Sequence, residues 1–115
     1  MNTNLLLALI AVESGGNDLA VGDNGRAVGA FQIHAEVVQD VNNIAGTHYT
    51  HSGMTNRADA VKVCEIYIGH WATAARLGRP VTDEDRARIW NGGPNGHKKT
   101  STKQYAEKVR SKWKK

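Results

Sequence analysis

One cysteine, Cys64, stands in a chain of 115 residues, so no disulfide can close within it and the fold must hold through its apolar core. That usage suits folding in a reducing compartment. Aromatic residues are few: one Phe, three Tyr and three Trp. Long apolar runs are missing as well. Leu5 to Val12 is far short of the roughly 20 residues needed to cross a bilayer, which argues against stable membrane insertion. No Lys or Arg precedes that run and no small-residue cleavage site follows it, so it makes a poor signal peptide and reads instead as a buried helix. There is no internal repeat, no low-complexity segment, and no Gly-rich phosphate loop after a strand pattern. Charge of neither sign dominates: 15 Lys and Arg against 11 Asp and Glu give a net charge of +4, a mild attraction to polyanions that does not choose among them.

What remains is the composition of one globular domain, 40% hydrophobic, spanning residues 1–115 and expected to be monomeric. The patterning is mostly helical. A first helix is predicted from about Asn4 to Glu13 or Ser14, apolar on nearly all sides, with Asn2, Thr3 or Asn4 as its cap and Gly15-Gly16 as its stop. Asp23-Asn24-Gly25 signals a turn, and residues 26–33 can hold a short hairpin. Apolar spacing predicts a helix over 35–45 ended by Gly46, then a polar loop over 47–56. The longest helix is predicted over 56–77, with the stripe Val61, Cys64, Ile68, Trp71 and Ala75, ended by Gly78 and Pro80. Thr82-Asp83-Glu84-Asp85 opens another, which stops at the Asn91-Gly92-Gly93-Pro94 stretch, and a last helix runs over about 102–113. The fold class is therefore mainly α, an α+β arrangement with a small β-hairpin near residues 24–33.

Glu13 is the residue of chemical interest. It closes the most hydrophobic helix, beside two glycines that let a bulky ligand approach the backbone. A carboxyl in apolar surroundings keeps its proton to higher pH, because burial disfavours the charged form; such a group can protonate a leaving oxygen. A solvated glutamate at a helix end is the plainer alternative. The neighbouring motifs favour chemistry. Glu13-Ser14-Gly15-Gly16-Asn17 followed by Gly29-Ala30-Phe31-Gln32-Ile33 resembles the lysozyme-like superfamily of goose-type lysozymes and lytic transglycosylases. Trp90-Asn91-Gly92-Gly93-Pro94 is similar to their Tyr-Asn-Ala-Gly-Pro loop, with Trp for Tyr. Tyr105-Ala106-Glu107-Lys108-Val109 is similar to their final Tyr-x-x-Lys-hydrophobic helix. The order Glu-Ser-Gly-Gly, Asp, Phe-Gln-Ile also resembles invertebrate-type lysozymes.

The resemblance implies a lysozyme-like catalytic domain that cuts the β-1,4 bond between N-acetylmuramic acid and N-acetylglucosamine in bacterial peptidoglycan. Glu13 would be its general acid and no cofactor or metal would take part. Ser14 would hydrogen-bond the carboxyl of Glu13. Gln32 would bind an N-acetyl sugar, Asn91 would bind substrate from its loop, and Tyr105 would bring its hydroxyl near Glu13. Turn-stabilising bonds for Gln32 and Asn91, and core packing for Tyr105, are the alternatives. Trp90 would either stack on a sugar or pack in the core. Gly22-Asp23-Asn24-Gly25 before Gly29-x-x-Gln32 resembles the Gly-Asp-x-Gly of goose-type lysozymes at the same spacing, which makes Asp23 a candidate base or charge stabiliser; otherwise it serves only its turn. Those enzymes often carry a further Asp after the Gln element, where this chain has His34. A second carboxylate suits a hydrolase, whereas lytic transglycosylases need none and leave 1,6-anhydro ends.

His48 and His51 lie in a polar loop with no acidic or Cys partner close in sequence, and Cys64 on a helix stripe reads as core. The basic residues Lys98, Lys99, Lys103, Lys108, Arg110, Lys112, Lys114 and Lys115 form either a solvated face or an attraction to anionic wall polymers. Nucleic-acid binding lacks a recognisable motif, and a glycan-binding module without catalysis is the remaining alternative. Without a visible signal peptide, a phage lysin, an endolysin or an effector made in the cytoplasm and acting on the wall, in the periplasm or outside the cell, fits the sequence.

Overall fold

The computed structural model describes residues 1–113. Its elements, in chain order, are α1 (Thr3–Ser14), β1 (Val21–Gly22), β2 (Ala27–Val28), α2 (Ala35–Ala45), α3 (Arg57–Trp71), α4 (Ala74–Leu77), α5 (Asp83–Gly92) and α6 (Lys103–Ser111), with short 3-10 turns between them. The mainly α class with a small antiparallel hairpin is as the sequence predicts. The chain divides into two compact units, one made of residues 1–12 and 68–115, the other of residues 13–67.

The unit of residues 13–67 is built around a loop. β1 and β2 pair antiparallel, Val21 with Val28 and Gly22 with Ala27. The first strand thus lies before the Asp23-Asn24-Gly25 turn, not within 26–33 where the hairpin is expected. The turn needs three consecutive left-handed residues, Asp23 (φ 52°), Asn24 (φ 57°) and Gly25 (φ 87°). Asp, Asn and Gly are the residues that tolerate that conformation best. Val28 then bridges to Ile33 through mutual backbone bonds of 3.1 and 2.9 Å. The Gly29-Ala30-Phe31-Gln32 segment is a tight loop between them. Its apolar residues point inward: Ala30 and Phe31 are fully buried, with Val38 and Val41 of α2, Met54, and Ala60, Val63, Cys64 and Tyr67 of α3 also buried. Gly46 ends α2 in the left-handed conformation, φ 67°, as the sequence predicts.

The α3 stripe differs from the predicted one. Buried positions are Ala60, Val63, Cys64, Tyr67 and Ile68, whereas Val61, Trp71 and Ala75 are not buried. The helix also stops at Trp71. Thr73 takes an extended backbone and its side chain accepts the Arg76 N–H, so it caps α4 as a new helix instead of continuing the old one.

In the other unit, Asn2 caps α1 by accepting the Leu5 N–H at 3.0 Å. Leu5, Ala8, Leu9 and Ile10 are buried, but Leu7 is 47% exposed, so α1 is not covered on all sides. Thr82 and Asp85 form a reciprocal capping box at the start of α5. The buried Ala87, Ile89 and Trp90 of α5 and Ala106 and Val109 of α6 complete this unit's apolar interior. α6 ends at Ser111, two residues short of the predicted Trp113.

Candidate functional site

Four of the residues singled out by sequence, Glu13, Ser14, Asp23 and Gln32, fall in the unit of residues 13–67; Trp90, Asn91 and Tyr105 belong to the other unit. Glu13 is half-buried in the last turn of α1. Its neighbour Ser14 donates its hydroxyl proton to the Ala30 carbonyl at 2.7 Å and accepts the Gly16 N–H at 3.2 Å. The Ser14–Ala30 bond fastens the Glu13 end of α1 to the Gly29–Gln32 loop. Arg57, at the start of α3, holds the segment that follows: it donates to the Gly16 carbonyl at 3.0 Å and pairs with Asp18.

Gln32 is itself left-handed, φ 52°. Its amide donates to the Ala20 carbonyl at 3.2 Å and to the Gly29 carbonyl at 3.0 Å. Those bonds stabilise the loop, and they commit both amide protons. The amide oxygen lies over Gly22, where a Cβ would come within 2.5 Å of it. Gly22 is thus required for the Gln32 side chain to sit as it does. Among the described residues, Asp23, Asn24 and Gln32 are the non-glycine residues with positive φ. Such residues cost of order 1–3 kcal/mol each and cluster at functional sites.

Asp23 is about half exposed, and both of its carboxylate oxygens have a basic neighbour. Arg26 donates to Oδ1 at 3.1 Å and, through Nε, to the Asp23 carbonyl at 3.2 Å. His34 Nε2 stands 3.4 Å from Oδ2. Neither Arg26 nor His34 is a site candidate in the sequence; Arg26 lies in the same turn as Asp23, and His34 is notable there only as standing where the resembling enzymes often have a further Asp.

Cys64 is buried, and burial pushes its thiol well above its ordinary range, helped by the carboxylates of Glu65 and Glu13. It is core, as expected from the sequence. His51 Nε2 lies 2.8 Å from the Ile33 carbonyl and so fastens the polar loop to the hairpin region.

In the other unit Asn91 is exposed near the end of α5, Tyr105 is half-buried, and Trp90 is only 9% exposed, which fits packing. The Gly93–Thr102 segment after Asn91 is held at many points. Gly93 terminates α5 with φ 88°. Arg76 lies over the Trp71 ring, 5.1 Å from its centroid, and donates to the Pro94 carbonyl at 3.0 Å and the Asn95 side chain at 3.2 Å. Lys99 donates to the Gly92 carbonyl at 2.7 Å, a cation at a helix C-terminus. Arg88 donates to Thr102 and to the Lys99 carbonyl. His97, within this segment, has both ring nitrogens shielded from solvent and without a hydrogen-bond partner, and burial pushes its pKa down.

The fold matches a known one. The chain superposes on a crystal structure of the lysozyme of Tapes japonica with a TM-score of 0.78 and 26% identity, over 95% of this chain and 88% of that one. No family model matches the chain, and no curated protein sequence does. The chain has a lysozyme-like fold.

Proposed function

We propose that this protein is a peptidoglycan-degrading glycosidase, a muramidase that hydrolyses the β-1,4 bond between N-acetylmuramic acid and N-acetylglucosamine. One observation carries the reading. In a chain with a lysozyme's fold, the Ser14–Ala30 hydrogen bond fastens the helix end that bears Glu13 to the loop that bears Gln32. Glu13 donates a proton to the glycosidic oxygen as the bond from the anomeric carbon breaks, and water adds to that carbon, losing its proton. Asp23 is the second carboxylate, either taking the water's proton or stabilising the positive charge that develops on the sugar. With both amide protons of Gln32 on backbone carbonyls, its oxygen is left to accept an N–H from an N-acetyl group. Asn91 and Tyr105 contribute to glycan binding, and Trp90 supports Asn91 through packing. The enzyme acts as a monomer on wall glycan, with no cofactor.

The test is digestion of purified peptidoglycan with mass spectrometry of the products. The wild-type protein should release fragments with reducing-end N-acetylmuramic acid. Glu13→Gln, which keeps shape but has no proton to give, should stay folded and lose at least about a hundredfold in rate. A folded Glu13→Gln protein of near-normal activity overturns the role of Glu13. Products ending in 1,6-anhydro sugar make the protein a lytic transglycosylase instead and remove Asp23 from the chemistry.

A further inference from the structure

His34 occupies the N-cap position of α2, with an extended backbone (φ −87°, ψ 155°), yet its side chain makes no capping bond. Residues chosen for that position normally turn a side-chain oxygen back to the helix N–H groups; an imidazole is a poor substitute. The ring instead reaches out of the helix to the Asp23 carboxylate, with Nε2 at 3.4 Å from Oδ2. The opposite oxygen, Oδ1, is taken by Arg26 at 3.1 Å. The carboxylate thus has a basic neighbour on each side: Arg26, of its own turn, in a hydrogen bond, and the His34 ring, from the start of the next helix, at ion-pair distance. The backbone of Asp23 is left-handed (φ 52°) and lies in a run of three such residues exposed to solvent. Arg26 cannot supply a fixed reference, since its side chain is 70% exposed and belongs to the same turn.

We infer that His34 is a positioning residue for the reaction proposed above, donating its Nε2 proton to Asp23 Oδ2 and so fixing the direction in which Oδ1 and Oδ2 face the substrate. The inference rests on the reading of Asp23 as the second carboxylate. The contact is long in the free protein and shortens when substrate excludes water from Asp23; the last torsion of a histidine side chain is broad, so the ring turns the remaining few tenths of an ångström at little cost. His34 itself touches no reacting atom.

Steady-state kinetics on a soluble peptidoglycan glycan fragment test this. His34→Ala should lower kcat about tenfold with KM changed less than about twofold, the pattern of a misaligned catalytic group. His34→Gln, whose amide nitrogen reaches the same place as Nε2, should recover most of the loss. In an Asp23→Asn background, His34→Ala should cost nothing more, because the group it positions is already gone. Wild-type kcat in His34→Ala, or losses that multiply in the double variant, overturn the inference. Nitrogen NMR of the His34 ring in the resting enzyme gives a readout without turnover. A proton on Nε2 in the neutral ring, with a resonance that moves on Asp23→Asn, supports the contact, and a neutral ring protonated only on Nδ1 overturns it. If the wild-type protein releases no reducing-end N-acetylmuramic acid from peptidoglycan, it is the hydrolase reading that fails; if it does and Glu13→Gln is inactive while His34→Ala matches wild type, only the inference fails.

Discussion

Single residues in this protein are constrained most tightly where the backbone turns. Gly29 has φ +84°, donates its N–H to the Ala20 carbonyl at 2.8 Å, and accepts from Gln32. A Cβ at this position would lie 1.9 Å from the Met54 carbonyl oxygen, a backbone atom that cannot swing aside. Gly25 has a similar φ of +87° but open space around it. The pair separates two effects. Gly25→Ala should cost about 1–2 kcal/mol, the penalty of a left-handed alanine. Gly29→Ala adds overpacking to that penalty and should cost about 2–5 kcal/mol. It should also lose activity, because it displaces the loop that carries Gln32. Urea unfolding of both variants reads the difference, and equal midpoints would show that the Met54 carbonyl is not the obstacle. This requirement is hidden in the sequence: Gly29 was notable as the first residue of a Gly-x-x-Gln element, but the atom that forbids a side chain there comes from Met54, in a loop read only as polar.

At the scale of elements, helix ends were the legible part. Gly46, Gly78 and Gly93 terminate helices where the sequence places them, and Thr82 caps α5, because these signals act within a few residues of themselves. The α3 break at Thr73 and the shifted hairpin were less so. Thr73 competes with a helix that pattern alone would continue, and the Val21 strand is set by its pairing with Val28, not by its own residues. The candidate site follows the same division. Glu13 and Gln32 were legible through local motifs, whereas Arg57, 39 residues beyond its partner Asp18, was not. One local signal carried more than it showed. Asp85 closes the α5 capping box as the third residue of the helix, but it is also buried, 4% exposed, and held by both terminal guanidinium nitrogens of Arg79 at 2.6 and 2.7 Å. Arg79 first, with the Thr82 N–H and hydroxyl, holds its carboxyl far below the usual carboxylate range. His97, in the same unit, is held below its ordinary value by burial of its unpartnered ring. In both cases the unfolded chain binds a proton at a higher pH than the folded one, so stability falls as pH falls. His97 should act first, with loss setting in below about pH 6.5; Asp85 follows, with its contribution intact above about pH 5 and disappearing below about pH 4. Urea midpoints measured across this range should fall in two stages. His97→Phe should remove the first stage. Asp85→Asn should remove the second at a cost of about 2–3 kcal/mol near neutrality, less than for a fully buried pair because Arg79 is half exposed. A wild-type midpoint that is flat from pH 7 to pH 3 would contradict both assignments.

For the molecule as a whole, the net charge of +4 divides into cations already engaged and cations left to solvent. Lys99 bonds the end of α5 and Arg110 pairs with Glu84 at 2.8 Å, so these two members of the basic C-terminal stretch hold structure together. Lys98, Lys103, Lys108 and Lys112 are exposed, and Lys114 and Lys115 lie outside the described residues. Exposed lysines add little to stability, since ion pairs at a surface are weak and screened. Their physical consequence is long-range attraction, which raises the encounter rate with a polyanion and weakens as salt shortens the screening length from about 8 Å at physiological ionic strength to about 3 Å at 1 M. A wall carrying phosphate or carboxylate polymers is such a target, and a short neutral chito-oligosaccharide is not. Lysis of whole bacterial cells should therefore fall steeply with added salt, while turnover of the neutral oligosaccharide should change little. Replacing Lys103, Lys108 and Lys112 together with Gln should flatten the salt dependence on cells and leave the oligosaccharide rate unaltered. Equal salt sensitivity on the two substrates would mean that salt acts on the catalytic step or on the fold itself, and the exposed lysines would then have no part in bringing the enzyme to the wall.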